Sequence, residues 1–287
     1  MSQTWYSDAP PDETQIGLAA ALRILCRGGA VILVILAGLF CLFSLRLFEN
    51  VFRGAHPAGS RKTVQIVCRI ALRLMGLRVR RHGKAMTGKG VMVANHSSWL
   101  DIFVLNAAAP VTFVSKSEVG SWPGIGWLAK ATGTVFIDRD PRQAVTQNAL
   151  FQDHLHKGTQ LLFFPEGTST DGLQVLAFKT TLFQSLVTSP ERETLALQPM
   201  SVAYHAPKGK DPRFYGWWGD MPFGPHLLKI LGADRHGSVD VQLHPPLTIG
   251  ACANRKELAQ ASEARVRTGH ASFTRDARPR GSADHSL

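Results

Sequence analysis

Residues 91–105, VMVANHSSWLDIFVL, join an apolar run to a second apolar run through a short polar turn. The first four residues are apolar and partly β-branched, which predicts a buried strand. Ser97 or Ser98 is placed to cap a helix that continues through residues 100–105. A strand that leads directly into a helix is the repeating unit of an α/β fold.

A histidine and an aspartate, His96 and Asp101, interrupt this apolar stretch at the join. In one regular helix, residues five positions apart are rotated by roughly 140° about the axis. The two side chains can therefore meet only if Asn95 and His96 are still in a turn and Asp101 is in the first helical turn. A carboxylate against one imidazole nitrogen leaves the other nitrogen free to take a proton from a hydroxyl. The alternative is a surface histidine beside ordinary turn and cap residues.

Strand-like and helix-like segments alternate along most of the remaining chain. This alternation predicts an α/β fold with a central, mostly parallel sheet flanked by helices, whose functional loops gather at the carboxyl ends of the strands. Two polar motifs follow predicted strands in this way, DRD at residues 138–140 and PEGT at residues 165–168. We therefore expect both motifs to lie near His96.

The order and spacing of these motifs resemble the glycerolipid acyltransferase family, whose best-known members acylate lysophosphatidic acid to phosphatidic acid. The matching stretches are Asn95-His96-x-x-x-x-Asp101, residues 133–139 (GTVFIDR), residues 164–168 (FPEGT) and the apolar strand that ends at Pro199. The resemblance covers about half of the chain, residues 65–205. It implies that His96 is the catalytic base and that Asp101 orients it. It also implies that the acceptor is bound by Arg139, Glu166, Gly167 and Thr168.

Two of these residues have a structural alternative. Arg139 is flanked by two aspartates and can form an ion pair with them. Glu166 can bind an acceptor hydroxyl or can order neighbouring groups. The chain has no G-x-S-x-G elbow, which favours direct attack by the acceptor hydroxyl over an acyl-enzyme. The resemblance implies the same one-step transfer.

The motifs predict the type of reaction but leave two alternatives for the acceptor lipid. Many family members that acylate lysophosphatidic acid place an arginine directly after E-G-T, whereas this chain has Ser169. The first expectation is 1-acyl-sn-glycerol-3-phosphate, giving phosphatidic acid. The alternative is the lyso form of ornithine lipid, which some bacterial members acylate. The donor is expected to be a thioester on acyl carrier protein or coenzyme A, and no metal or bound cofactor is expected.

The charge balance indicates an acidic partner. The chain carries 32 Lys and Arg against 21 Asp and Glu, a net charge of +11. It has no zinc-ligand spacing, RNA-binding signature or recognition-helix pattern, so a lipid surface is favoured over nucleic acid. A basic membrane-binding protein without catalysis is the alternative from another functional class.

The N-terminal part is predicted to associate with a membrane. Residues 28–45 form an uncharged run of 18 residues, about 27 Å long as a helix, which is just enough to span a bilayer core. Residues 63–75 predict an amphipathic helix that lies in the lipid interface or packs on the sheet. More basic residues follow the apolar run than precede it. This favours the inner membrane with the catalytic domain facing the cytoplasm, whether the run spans or dips.

The predicted organisation has four parts. They are a disordered polar N-terminus at 1–15, membrane-associated helices at 16–76, an α/β acyltransferase domain at 77–267 and a disordered basic tail at 268–287. Within the domain, Trp217, Trp218 and Phe223 are predicted to form either a hydrophobic lip near the substrate entrance or a buried satellite cluster.

Overall fold

The computed structural model describes residues 4–6, 16–52, 58–122, 125–137 and 144–274. The strands in these ranges are β1 (Arg78–His82), β2 (Gly90–Ala94), β3 (Thr112–Lys116), β4 (Val135–Ile137), β5 (Leu161–Phe163), β6 (Ala196–His205), β7 (Ser238–Leu243) and β8 (Leu247–Thr248). The α-helices are α1 (Leu18–Phe52), α2 (Ala58–Leu74), α3 (Asp101–Ala108), α4 (Ile125–Ala131), α5 (Ala144–His156), α6 (Thr181–Val187), α7 (Phe223–Gly232) and α8 (Arg255–Thr274).

The described strands form one sheet in the order β1-β7-β6-β2-β5-β3-β4, and β8 also pairs with β6. The pairs β1·β7, β2·β6, β2·β5, β5·β3 and β3·β4 are parallel, whereas β6·β7 and β6·β8 are antiparallel. The prediction of a mostly parallel central sheet is confirmed. Because β2 lies between β5 and β6, the loops that leave the carboxyl ends of β2 and β5 start side by side.

Strand β2 divides the interior into two cores. Its five residues are all buried, and successive side chains point to opposite faces of the sheet. Met92 and Ala94 face a cluster that includes residues of α2, α3 and α7. Val91 and Val93 face a second cluster that includes residues of α5, α6 and α8. The sheet is therefore covered by helices on both sides.

Strand β6 is one continuous strand of ten residues, so it does not end at Pro199 as the sequence predicted. The strand passes through Pro199, which has no N–H to donate to a neighbouring strand. On one edge, β6 pairs with β8 up to Leu197 and with β7 from Met200 onward. Pro199 lies at the junction between these two partners, where its missing N–H breaks no ladder hydrogen bond.

Helix α1 is the N-terminal apolar helix that the sequence predicted, although at 35 residues it is longer than the uncharged run. Its segment Leu18–Phe48 is long and apolar enough to cross a membrane. The helix packs against α2 so closely that a Cβ at Gly38 would overlap Val67 Cγ2. Helix α2 is amphipathic, as expected, and its buried side chains Ala71 and Leu72 belong to the sheet core.

Arginines tie both ends of α1 to the α/β domain. Arg23 Nε donates to Gly232 O at 2.8 Å, and Arg27 Nη1 donates to the carbonyls of Leu231 and Ala233 at the end of α7. At the other end of α1, Arg46 Nη1 donates to the carbonyl of the last residue of α4, at 2.9 Å. Cations at helix C-termini are favoured because the terminal carbonyls carry partial negative charge. Helix α1 therefore lies along the domain.

The outward face of α1 is a stripe of exposed apolar side chains. Its large members are Leu18, Leu22, Leu25, Ile32, Leu33, Leu36, Phe40, Phe43, Leu47 and Phe48. Their spacing of mainly three or four residues keeps them on one side of the helix.

The predicted terminal segments are described only in part. Helix α8 continues to Thr274, so the predicted tail boundary at 268 falls inside a helix. The extra turns pack against the domain, because His270 is buried and its Nε2 bonds to Gly172 O at 3.0 Å. Residues 275–287 lie outside the described residues, as do 1–3 and 7–15 of the predicted N-terminal segment.

Candidate active site

The turn after β2 brings His96 and Asp101 together. His96 Nδ1 lies 2.7 Å from Asp101 Oδ2. Asn95 and His96 are outside any helix, and Asp101 is the first residue of α3, which is the arrangement that the five-residue spacing requires. Asp101 is fully buried, whereas the His96 side chain keeps 21% of its surface exposed.

Asp101 holds the turn as well as the imidazole. Its Oδ2 accepts the backbone N–H groups of Ser97 at 2.7 Å and Ser98 at 3.0 Å. Ser98 Oγ accepts the backbone N–H of Leu100 at 3.3 Å just before α3, which is the contact that the predicted serine cap requires. The backbone N–H groups of both serines meanwhile bind the carboxylate of Asp101, the first residue of α3.

The second oxygen of Asp101 is bound by Tyr204. The Tyr204 hydroxyl donates to Asp101 Oδ1 at 2.7 Å from the carboxyl-terminal part of β6. Burial, and then the nearby Asp101 carboxylate, raise the pKa of Tyr204 well above its usual value, so the phenol keeps its proton. Sequence reasoning missed this residue, because only the sheet order brings β6 beside the turn.

The hydrogen bonds define which nitrogen of His96 can act as a base. A carboxylate only accepts, so Nδ1 carries the proton and Nε2 presents a lone pair. The imidazole stacks on Phe164 with ring centroids 4.0 Å apart and planes inclined by 13°. This stacking fixes the ring plane, and the partial exposure leaves the ring accessible to a hydroxyl.

Three other segments hold the backbone of the same turn. The Asn95 amide bonds to both the N–H and the C=O of Val202 in β6, at 2.8 and 2.9 Å. Thr170 N donates to His96 O at 3.0 Å, and Trp217 N donates to Ser97 O at 2.9 Å. The position of the base is therefore set by contacts that are distant in sequence.

Glu166 is buried and connects two loops. Its Oε1 accepts the N–H of His96 and its Oε2 accepts the N–H of Leu176, both at 2.7 Å. Burial raises the pKa of Glu166 to about 8, against the opposing effect of the two amide hydrogen bonds. This geometry favours the alternative that Glu166 orders its neighbours, and an acceptor contact by Glu166 stays a prediction.

Gly167 and Thr168 follow Glu166 in this loop and are half-buried. Gly167 has φ of +73°, and a Cβ there would lie 2.8 Å from Lys179 Nζ, so glycine suits both the backbone and the space. Thr168 Oγ1 accepts the backbone N–H of Trp5 at 3.4 Å. Trp5 of the N-terminal segment, which was predicted to be disordered, thus contacts the predicted acceptor loop.

The aromatic residues after β6 are buried or half-buried. Trp218 is buried, at 3% exposure. The Trp217 ring packs edge-on against Trp122, with centroids 5.8 Å apart, and against Phe223, which in turn meets Trp99. Trp122 is 40% exposed, so the aromatic contacts run from the catalytic turn to the surface. The interpretation as a buried cluster is confirmed for Trp218, and a hydrophobic lip near the substrate entrance stays a prediction.

Two further predictions concern Arg139 and metal binding. Arg139 lies in residues 138–143, outside the described residues, and its role in acceptor binding stays a prediction. Among the residues that the structure describes, no group of three or more His, Cys, Asp or Glu side chains is arranged to hold a metal ion.

Comparison with known proteins agrees with the motif pattern. The acyltransferase family model matches residues 76–203. A lyso-ornithine lipid O-acyltransferase of Rhodobacter capsulatus is 51% identical over 265 residues, covering 92% of this chain and 96% of the relative. A lyso-ornithine lipid O-acyltransferase of Brucella abortus is 36% identical over 249 residues, covering 83% and 92%.

Proteins that act on a phosphate-bearing acceptor match less of the sequence. A 1-acyl-sn-glycerol-3-phosphate acyltransferase of Neisseria gonorrhoeae is 40% identical over 114 residues, covering 39% of this chain and 45% of the relative. The crystal structure of the 1-acyl-sn-glycerophosphate acyltransferase from Thermotoga maritima has the same fold, with a TM-score of 0.58 at 20% identity, covering 89% of this chain and 100% of that one. From the family match and the near full-length relatives, the chain belongs to the acyltransferase family.

Proposed function

We propose that this acyltransferase moves a fatty acyl group from a thioester to the free hydroxyl of a lysolipid, and that the acceptor is lyso-ornithine lipid. The observation that carries the reaction is the His96–Asp101 pair, with Nδ1 bound to a buried carboxylate and Nε2 presented at a partly exposed site. Nε2 takes the proton of the acceptor hydroxyl while the oxygen attacks the thioester carbonyl. The tetrahedral intermediate then expels the thiolate, which receives the proton from His96.

The acceptor is inferred from how much of the chain each group of relatives covers. The lyso-ornithine lipid enzymes match 92% and 83% of this chain, whereas the Neisseria enzyme matches 39% of it. Ser169, in place of the arginine that follows E-G-T in many enzymes for lysophosphatidic acid, supports the same choice. The sequence-based first expectation, 1-acyl-sn-glycerol-3-phosphate, is kept as the second candidate because of the shared core motifs.

The acyl donor is proposed to be a thioester of acyl carrier protein or coenzyme A. Both are acidic, and the net charge of +11 favours their approach. The charge balance does not distinguish the two, so the donor assay includes both.

We propose that α1 attaches the enzyme to the cytoplasmic face of the inner membrane without crossing it. Arg23 and Arg46 are separated by about 35 Å of helix, yet both donate to carbonyls of the same α/β domain. A helix held at both ends along the domain can still insert its exposed apolar stripe into the lipid interface.

The test is acyl transfer by the purified, detergent-solubilised protein with radiolabelled acyl carrier protein and coenzyme A thioesters. Lyso-ornithine lipid and lysophosphatidic acid are offered side by side, with His96→Ala as the control. Product from lyso-ornithine lipid that disappears in the variant supports the proposal. Product from lysophosphatidic acid alone would instead establish the second candidate.

A further inference from the structure

We propose that Asp220 binds the ammonium group of the acceptor headgroup, at a wall of the site that residues 4–6 complete. This inference rests on the proposed function, because lyso-ornithine lipid carries a primary ammonium and lysophosphatidic acid does not. It adds a specificity-determining residue outside the four family motifs.

The loop at residues 217–220 lies directly beside the catalytic turn. Trp217 N donates to Ser97 O at 2.9 Å, one residue from the proposed base. Trp218 is buried beneath the loop, and Arg213 lies over its ring with Cζ 5.8 Å from the centroid. The loop is therefore anchored at one end, and Asp220 follows as an exposed residue.

Residues 4–6 connect this loop to the predicted acceptor loop. Trp5 donates its backbone N–H to Thr168 Oγ1 at 3.4 Å, and its ring packs edge-on against Trp218 with centroids 6.4 Å apart. Tyr6 donates its hydroxyl to Asp220 Oδ2 at 2.9 Å. The two neighbouring residues thus contact Thr168 on one side and Asp220 on the other.

The tyrosine contact orients the carboxylate without neutralising it. Hydrogen bonding to Asp220 raises the pKa of Tyr6, so the phenol stays a neutral donor. Within the ranges that the structure describes, no lysine or arginine forms an ion pair with Asp220. One carboxylate oxygen is fixed by Tyr6, and the other can accept from an ammonium.

The charges around the acceptor loop suit a zwitterionic headgroup better than a phosphate. Ser169 is neutral and Asp220 is anionic. A carboxylate at position 220 would repel the negative charge of a phosphate headgroup. Lys179 lies across Gly167 and can meet a headgroup carboxylate. Ornithine presents both an ammonium and a carboxylate, which matches one anionic and one cationic side chain.

The experiment compares lyso-ornithine lipid with its δ-N-acetylated derivative, which keeps the acceptor hydroxyl and loses the positive charge. For the wild-type enzyme we expect acetylation to lower kcat/KM by about tenfold, the range of a charge-assisted hydrogen bond. Asp220→Asn is expected to lower kcat/KM for the natural lipid by a similar factor and to remove the difference between the two acceptors. An Asp220→Asn enzyme that discriminates as strongly as the wild type would overturn the assignment.

Two controls separate a local effect from a general one. Asp153→Asn removes an exposed carboxylate on α5 that pairs with Lys157, and the wild-type ratio is expected to persist. Tyr6→Phe frees the carboxylate from its donor and is expected to weaken discrimination by a smaller factor. Equal thermal unfolding midpoints of Asp220→Asn and the wild type establish that the variant is folded.

Assays of the wild-type enzyme with other lysolipids distinguish an error in the proposed acceptor from an error in the role of Asp220. If the wild type acylates lysophosphatidylethanolamine but not lyso-ornithine lipid, the acceptor proposal fails. The same acetylation comparison on the ethanolamine headgroup then tests Asp220, and loss of discrimination in Asp220→Asn supports the site. Transfer to lysophosphatidic acid alone overturns both.

Discussion

The Tyr204 hydroxyl donates to Asp101 Oδ1 at 2.7 Å, while Asp101 Oδ2 is bound to His96 Nδ1 at the same distance. The catalytic pair is thus part of a chain of three side chains that links the turn after β2 to β6. In the chain Tyr204–Asp101–His96, the tyrosine is a positioning residue, because it acts on the base through the aspartate.

Tyr204→Phe keeps the ring and removes the donor from a fully buried carboxylate oxygen. We expect kcat to fall by about 5- to 150-fold with little change in KM, because an unsatisfied buried group costs about 1–3 kcal/mol. Steady-state kinetics with both substrates varied measures this split. Tyr215→Phe is the matched control, since Tyr215 is also fully buried and its ring lies 5.5 Å from that of Tyr204. Equal losses of kcat in the two variants would contradict the positioning role.

His96→Ala removes the proposed base, and we expect kcat to fall by about 10²- to 10⁴-fold. Asp101→Asn is expected to cause a loss of similar size, because the amide brings N–H donors to a position where two backbone amides, His96 and Tyr204 all donate. Acyl transfer at saturating donor and acceptor measures both effects. Full activity of His96→Ala would rule out the base assignment.

Glu166→Gln replaces one acceptor oxygen by a donor amide. Either His96 N–H or Leu176 N–H then faces an N–H group, which we expect to destabilise the fold by about 1–3 kcal/mol. We also expect lower activity, because the turn that positions His96 loses a hydrogen bond or is displaced. Thermal unfolding and acyl transfer measure the two effects. Glu193→Gln, at an exposed position, is expected to change neither. A variant that loses acceptor affinity with unchanged stability would instead support direct acceptor binding by Glu166.

His226 makes the stability sensitive to acid. Burial, with a smaller effect of the Lys229 charge, lowers the pKa of His226 to about 3 from a reference value of 6.5. The ring accepts the Trp99 indole N–H at 2.9 Å on Nδ1, which requires an unprotonated nitrogen. Between these two pKa values the unfolded chain binds a proton that the folded chain does not, so the contribution to stability is present above pH 6.5 and is lost as the pH falls.

Denaturant unfolding between pH 7 and 4.5 measures this dependence in the wild type and in His226→Gln. Glutamine can still accept from Trp99 but takes up no proton. We expect the variant to lose less stability on acidification, with a slope smaller by up to about 1.4 kcal/mol per pH unit. Parallel curves for the two proteins would show that His226 does not control the acid sensitivity.

The exposed stripe on α1 provides a test of membrane attachment. Leu33 and Phe40 are 68% and 75% exposed, and replacing both with serine is expected to weaken binding to anionic phospholipid vesicles by at least about 100-fold. Co-sedimentation measures the bound fraction, and circular dichroism checks the helix. Leu150→Ser, at an exposed apolar residue of the α/β domain, is the control and is expected to bind as the wild type does.

The sequence by itself determined the elements around the catalytic turn and the main catalytic pair. The strand at 91–94, the turn at His96 and the helix that carries Asp101 follow from local patterns, since the residues that meet are five positions apart. The alternation of strands and helices likewise predicted the mostly parallel sheet. A contact between residues five positions apart, such as His96 and Asp101, depends on the local backbone conformation, which the neighbouring residues specify.

The tertiary structure decided which distant residues complete the site. Tyr204 is 103 positions from Asp101, and Thr168 is 163 positions from Trp5. No local periodicity encodes such contacts, because they depend on β2 lying between β5 and β6 and on where the loops leave the sheet. The position of α1 along the domain is also tertiary, since it depends on which carbonyls its arginines reach.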